Sequence, residues 1–133
     1  MTLSELKEAI GNELAARLSA LQIGEIGLYY DAIPAGHERL VVRFWLPVYG
    51  TNGRAYDGNT LERPTLQVDV KHFPEAGSTA TPRTDTAELL WETIKLERVP
   101  GLVGCTRLPA SRPPAKDLSD GSVWGFSRYQ LTI

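Results

Sequence analysis

The order of elements in this chain predicts an α+β fold. An amphipathic helix opens it, three extended segments follow, and a second short helix precedes two more strand candidates. The last of these, Ser122–Ile133, closes on an apolar residue, which sets the expectation that this end is held in a sheet, since free ends fray. The expected arrangement is a mostly antiparallel sheet with two helices packed on one face and a protruding hairpin-like loop. All 133 residues fit a single domain, 1–133, since domains commonly run about 100–150 residues.

In the first segment, Leu3, Leu6, Ile10, Leu14, Leu18 and Leu21 recur at three- and four-residue steps. That spacing lays an apolar stripe along a helix over Ser4–Leu21. Thr2 and Glu5 have capping-box spacing. Glu5, Lys7, Glu8, Glu13 and Arg17 take the wet side, and Gly24 and Gly27 end the helix. Ile26–Asp31 reads as a strand, followed by a turn at Pro34, Ala35 and Gly36. Leu40–Val48 is a dense strand with Val42, Phe44 and Leu46 on one side and Val41, Arg43, Trp45 and Pro47 on the other. Bulk on both sides predicts a central strand covered on both faces, by the helices and by a second layer or a neighbouring subunit. Pro47 limits its end, because it cannot donate a ladder hydrogen bond.

Tyr49–Arg63 is the turn-rich, hairpin-like excursion, with little to bury. Pro64–Phe73 returns to strand, Leu66, Val68 and Val70 alternating with Gln67, Asp69 and Lys71, which predicts one buried and one wet face. After a polar linker, Thr84–Lys95 reads as a helix with Ala87, Leu90, Trp91 and Ile94 inward and Asp85–Glu88 as a second capping box. Pro100 and Gly101 stop it. Leu102–Leu108 is a short strand candidate and Pro109–Gly121 an irregular segment. The final strand divides Val123, Tyr129, Leu131 and Ile133 from Trp124, Phe126, Arg128, Gln130 and Thr132.

Composition excludes several classes. Hydrophobic and charged shares of 42% and 23% are those of an ordinary globular domain. A net charge of -2 and a pI near 5.7 argue against a phosphate-gripping protein, which concentrates basic residues on a face. The single cysteine, Cys105, allows no internal disulfide and fits a reducing compartment. No apolar run reaches the roughly 18 residues of a membrane span, and the N-terminus lacks a signal-peptide layout. Synthesis and use without secretion machinery, and no membrane partner, are therefore expected.

Chemical signatures are sparse. His37 and His72 have no carboxylate or cysteine partner at metal-ligand spacing and read as structural or surface histidines. Cys105 reads as a small buried hydrophobe, having no histidine to activate it. Asp57-Gly58-Asn59 reads as a turn, lacking the acidic spacing of a calcium loop. No phosphate-binding glycine loop is present. No enzymatic activity, cofactor or metal is expected; the enzymatic alternative would draw on Asp57, His72 and Asp69. Arg107, Arg112 and Lys116 form a modest basic patch around the third loop. Trp45, Trp124 and Phe126 fall opposite the core faces, which leaves two readings: an interface with another molecule, or a second layer of the same domain.

Over its whole length the chain resembles the tail terminator (tail-completion) proteins of long-tailed bacteriophages, the lambda-type minor tail protein family. The resemblance lies in the early helix, the long excursion, the strand LQVDVKHF, the A-x-x-L-W-x-x-I helix and the terminal aromatic strand. The short second helix and Pro109–Pro114, where an acidic loop belongs, depart from the pattern. The resemblance implies a homo-oligomer, a hexameric ring that caps the tail tube protein, stops its polymerisation and presents the surface for the head connector or stopper. DNA would pass through the lumen without sequence-specific binding. The location implied is the virion tail or neck, assembled in the host bacterial cytoplasm. A head-closure or tube-like role, or a small host binding module, is the alternative. Expected subunit and tail contacts are Arg54, Tyr56 and Arg63 in the excursion, with Trp45, Trp124, Phe126 and Arg128 on the strands, since Arg and aromatic residues dominate interface hot spots.

Overall fold

A computed structural model of the chain describes residues 2–48, 64–74 and 82–133. The first helix, α1, covers Leu3–Ser19. Thr2 caps it, its Oγ1 accepting the Glu5 N–H at 3.1 Å, and so satisfies one orphan donor of the first turn. Leu6, Ile10, Leu14 and Leu18 are buried along one stripe. Arg17 pairs with Glu13 one turn back on the wetter side. Gly24, at φ +104°, turns the chain toward the sheet. Gly27, expected to end the helix, instead lies inside the first strand.

The sheet comprises β1 (Ile26–Tyr30), β2 (Leu40–Val48), β3 (Thr65–His72), β4 (Gly104–Arg107), β5 (Arg112–Lys116) and β6 (Val123–Thr132), with α2 (Thr84–Thr93) between β3 and β4. Its order is β1-β2-β3-β6-β4, and β5 pairs with the first half of β6. Only β1 and β2 are parallel; the other pairings are antiparallel. The fold is thus α+β with a mostly antiparallel sheet. The central strand is β3 rather than Leu40–Val48. The last strand docks against β3, which leaves β1, an edge strand, as the second neighbour of β2. The β2–β3 register shifts between Trp45 and Val48, where Pro47 lacks an N–H to keep the ladder regular.

Both helices cover the same face. Leu40, Val42, Phe44 and Leu46 of β2, Leu66, Val68 and Val70 of β3, and Val123, Tyr129 and Leu131 of β6 join α1 and α2 in one core. The Tyr129 hydroxyl accepts the Leu96 N–H at 3.2 Å and holds the chain after α2 against the sheet. Three local expectations fail for identifiable reasons. Arg83 is the N-cap of α2 and gives no side-chain cap bond, because a guanidinium has no acceptor, while Asp85 lies inside the helix and accepts from the Arg83 guanidinium at 3.1 and 2.6 Å and from the Thr86 N–H at 2.9 Å. The Asp85–Glu88 capping box therefore does not form. β5 arises in the segment read as irregular: Pro113 and Pro114 lack donors, and such residues are tolerated at a sheet edge. Gln67 and Asp69, expected on a wet face, are buried. The excursion Tyr49–Arg63 lies outside the described residues.

His72 ties the end of β3 to the start of α2. Its Nδ1 accepts the Arg83 N–H at 3.1 Å, and burial, the chief cause, pushes its pKa below the ordinary 6.5. Protonation would set one N–H against another. The unfolded chain takes up this proton more readily, so the His72 contribution is intact above about pH 6.5 and is lost as pH falls below it. Urea titrations at pH 7.5 and 5.5 should show a lower midpoint at pH 5.5, and His72→Gln should lessen that difference. An equal difference in the variant would exclude His72 as its source. Asp120 acts in a separate window. Hydrogen bonds from Ser122 and Lys71 hold its carboxyl at about 2, so its contribution is lost as pH falls from about 3.8 toward 2.

Candidate interaction surface

The face of the sheet opposite the helices is built from alternate residues that the strand pleat turns away from the core. Register places Arg43, Asp69 and Phe126 in one row across β2, β3 and β6, flanked by a row of Val41, Lys71 and Trp124 and a row of Trp45, Gln67 and Arg128. A hydrogen-bonded chain runs through them. Arg128 Nε donates to Gln67 Oε1 at 2.8 Å, Gln67 Nε2 to Asp69 Oδ1 at 2.7 Å, and Arg43 Nε to Asp69 Oδ2 at 2.9 Å. Arg43 Nη1 then reaches the Asp31 carbonyl at 3.2 Å. This pairing is what permits Gln67 and Asp69 to be buried, since a buried carboxylate without partners costs several kcal/mol.

Aromatic rings and guanidinium groups cover the rest of the face. Arg112 of β5 stacks on Trp124 at 4.1 Å from the ring centre, Arg128 lies 5.5 Å from Phe126, and Arg43 lies 5.5 Å from Trp45. Trp124 and Phe126 are 6.0 Å apart. The four strand residues read from the sequence as contacts (Trp45, Trp124, Phe126 and Arg128) do share this face, all half-buried. Arg54, Tyr56 and Arg63 lie outside the described residues. Trp45 carries a further feature: its indole N–H is buried and has no acceptor among the described residues. Such orphaned donors are rare in native structures.

The connection from β1 to β2 crosses the margin of the same face, a covering that sequence periodicity cannot register. Tyr29 donates to the Glu38 carboxylate, and Ile33 comes near Val41 to line a cleft of about 230 Å³ with Arg43, Asp69, Lys71, Asp117 and Trp124. Val41 is fully buried as a result. Lys71 also pairs with Asp120 at 2.9 Å across the mouth of the β5–β6 turn. The expected basic patch does not assemble. Arg107 stacks on Trp91 of α2 on the helix side, at 4.4 Å, whereas Arg112 occupies the opposite face.

Gly125 makes the β5 contact possible. A Cβ on it would lie 2.6 Å from Pro114 N, 2.7 Å from Arg112 O and 2.8 Å from Pro113 C, all main-chain atoms. Gly125→Ala should therefore push β5 off β6 and cost about 1–3 kcal/mol. A lower urea midpoint, with a red shift in tryptophan fluorescence as Arg112 leaves Trp124, is the expected record. Unchanged values for both would show that β5 tolerates the displacement.

The residues of the enzymatic alternative are not brought together. Asp69 and His72 point to opposite faces of β3, and Asp57 lies outside the described residues. Burial pushes the Cys105 thiol up to about 11, and its Sγ–H points to the Leu96 carbonyl at 3.7 Å, so it stays protonated at neutral pH. Among the described residues no cluster of three or more His, Cys, Asp or Glu is placed to hold a metal ion, and no helix is long and apolar enough to cross a membrane. No protein-family model matches the chain, and no curated protein matches it.

Proposed function

We propose that this chain is a structural subunit of a bacteriophage virion: a tail terminator that forms a ring on the finished tail tube, stops its polymerisation and offers the head-joining surface. In this reading it catalyses nothing and binds no cofactor. Its partners are copies of itself, the tail tube protein and the head connector or stopper, with DNA passing through the lumen. It assembles in the host cytoplasm and stays in the tail or neck of the virion.

The observation that carries this reading is the sheet face opposite the helices. Aromatic and arginine side chains, the types that dominate binding hot spots, are gathered there on a hydrogen-bonded base. Such a base preorganises the face, which lowers the ordering cost of association. The orphaned Trp45 N–H at the same face would gain an acceptor on assembly. The whole-chain resemblance in element order supports the ring and the tail as its setting.

The test is mass measurement of the purified protein, alone and with purified tail tubes, followed by electron microscopy. Closed rings, free or seated on tube ends, are expected. A protein that stays monomeric at every concentration, with tubes present, would defeat the proposal.

A further inference from the structure

Among the described residues the sheet has two open edges, and they match each other. β1 and β4 are its outermost strands, five and four residues long. The Asp31 N–H bonds the Phe44 carbonyl in β2. Alternation along a parallel ladder then turns the main-chain groups of Gly27 and Tyr29 toward β2 and those of Ile26 and Leu28 outward. On the other side, the Leu108 N–H bonds the Arg128 carbonyl of β6. With the β4–β6 register, this turns Gly104 and Thr106 inward and Cys105 and Arg107 outward. Among the described residues, no main-chain hydrogen bond reaches the outward groups of Ile26, Leu28, Cys105 or Arg107.

Natural proteins blunt exposed edges with prolines and charges. β5, on the same flank of the sheet as β4, is blunted in this way by Arg112, Pro113, Pro114 and Lys116. β1, Ile-Gly-Leu-Tyr-Tyr, carries neither a proline nor a charge.

We propose that β1 of one copy pairs with β4 of the next, Ile26 opposite Arg107 and Leu28 opposite Cys105, so that the sheet runs continuously from subunit to subunit. The inference rests on the ring reading above and names the contact that closes it. Chain direction supports it. β1, β2 and β6 run one way and β3, β4 and β5 the other. A rotation about an axis parallel to the strands keeps those directions, so β4 of one copy meets β1 of its neighbour antiparallel. Side-chain facing supports it independently. Ile26, Leu28 and Cys105 all pack toward the helix-covered core, and Arg107 lies over Trp91 on that side. Residues directly opposite in a ladder share a face, so this register keeps every helix layer on the same side of the joined sheet. Each of the two pairs can exchange two main-chain hydrogen bonds. The contact is head-to-tail, because the two edges differ, and it uses up both open edges when the ring closes.

The test uses two full-length variants that each remove one outward donor and leave the inward ladder intact, Leu28→Pro and Cys105→Pro. Retained folding is checked by near-ultraviolet circular dichroism. Under conditions where the wild-type protein forms rings, each variant alone should be monomeric. Mixed in equal amounts they should form a dimer and stop, because each retains one intact edge. Rings from either folded variant alone overturn edge pairing and leave the ring reading standing. A dimer of Cys105→Pro alone overturns it in favour of two β1 strands pairing with each other. A wild-type protein that never forms rings, with or without tail tubes, removes the ring reading itself, and this contact with it. Hydrogen exchange on the wild-type ring decides the matter if a variant does not fold. The amides of Ile26, Leu28, Cys105 and Arg107 should exchange at least tenfold slower in the ring than in the monomer, and equal rates overturn the proposal.

Discussion

Val42→Asp should abolish folding. Val42 is fully buried and sits between Leu28 of β1 and Val70 of β3, beneath the helix layer. A carboxylate there has no partner, and burying an unpaired charge costs several kcal/mol, the scale of a domain's total stability of about 5–15 kcal/mol. Phe44→Asp should act in the same way, since Phe44 is also in the core and meets Tyr30 edge to face. Val103→Asp is the control, because Val103 is 82% exposed. It should stay within about 0.5 kcal/mol of the parent. Circular dichroism and urea titration of the three variants provide the comparison. A soluble Val42→Asp protein with an unchanged melting temperature would refute the placement of β2 in the core.

Trp124→Ala should leave the protein folded and remove its docking on the tail. Trp124 is only half-buried, so its loss opens no large cavity in the core. It anchors the outer face through the Arg112 stack and lines the cleft beside Val41. Truncation removes the broad apolar surface that makes tryptophan the strongest kind of hot-spot residue, for which losses of about 2 kcal/mol or more are typical. Identical docking contacts around a ring fail together, so a moderate loss per subunit becomes loss of the whole ring from the tube end. Phage carrying Trp124→Ala should yield tails of uncontrolled length that do not join heads. Normal tails that join heads as usual would show that this face is not the docking surface.

Local pattern was enough for the helix stripes, the capping by Thr2, the two faces of β6 and the set of strand residues that share the outer face. Each of these rests on a period of 2 or 3.6 and on neighbours within one turn, which a single sequence displays directly. Tertiary structure decided what depends on distant partners. The central strand is β3, because the last strand of the chain docks beside it. Gln67 and Asp69 are buried, because Arg43 and Arg128 on flanking strands supply the hydrogen bonds that make their desolvation tolerable. Asp85 does not cap α2, because the helix starts ahead of it with Arg83 at the N-cap, and its carboxylate meets the Arg83 side chain. β5 forms within a proline-rich stretch because β6 has a free flank there and Gly125 leaves room for its backbone. Periodicity is a property of adjacent residues. Pairing order, burial of polar groups and close approach of backbones are set by residues far apart in the chain, where only the folded arrangement determines which partner is present.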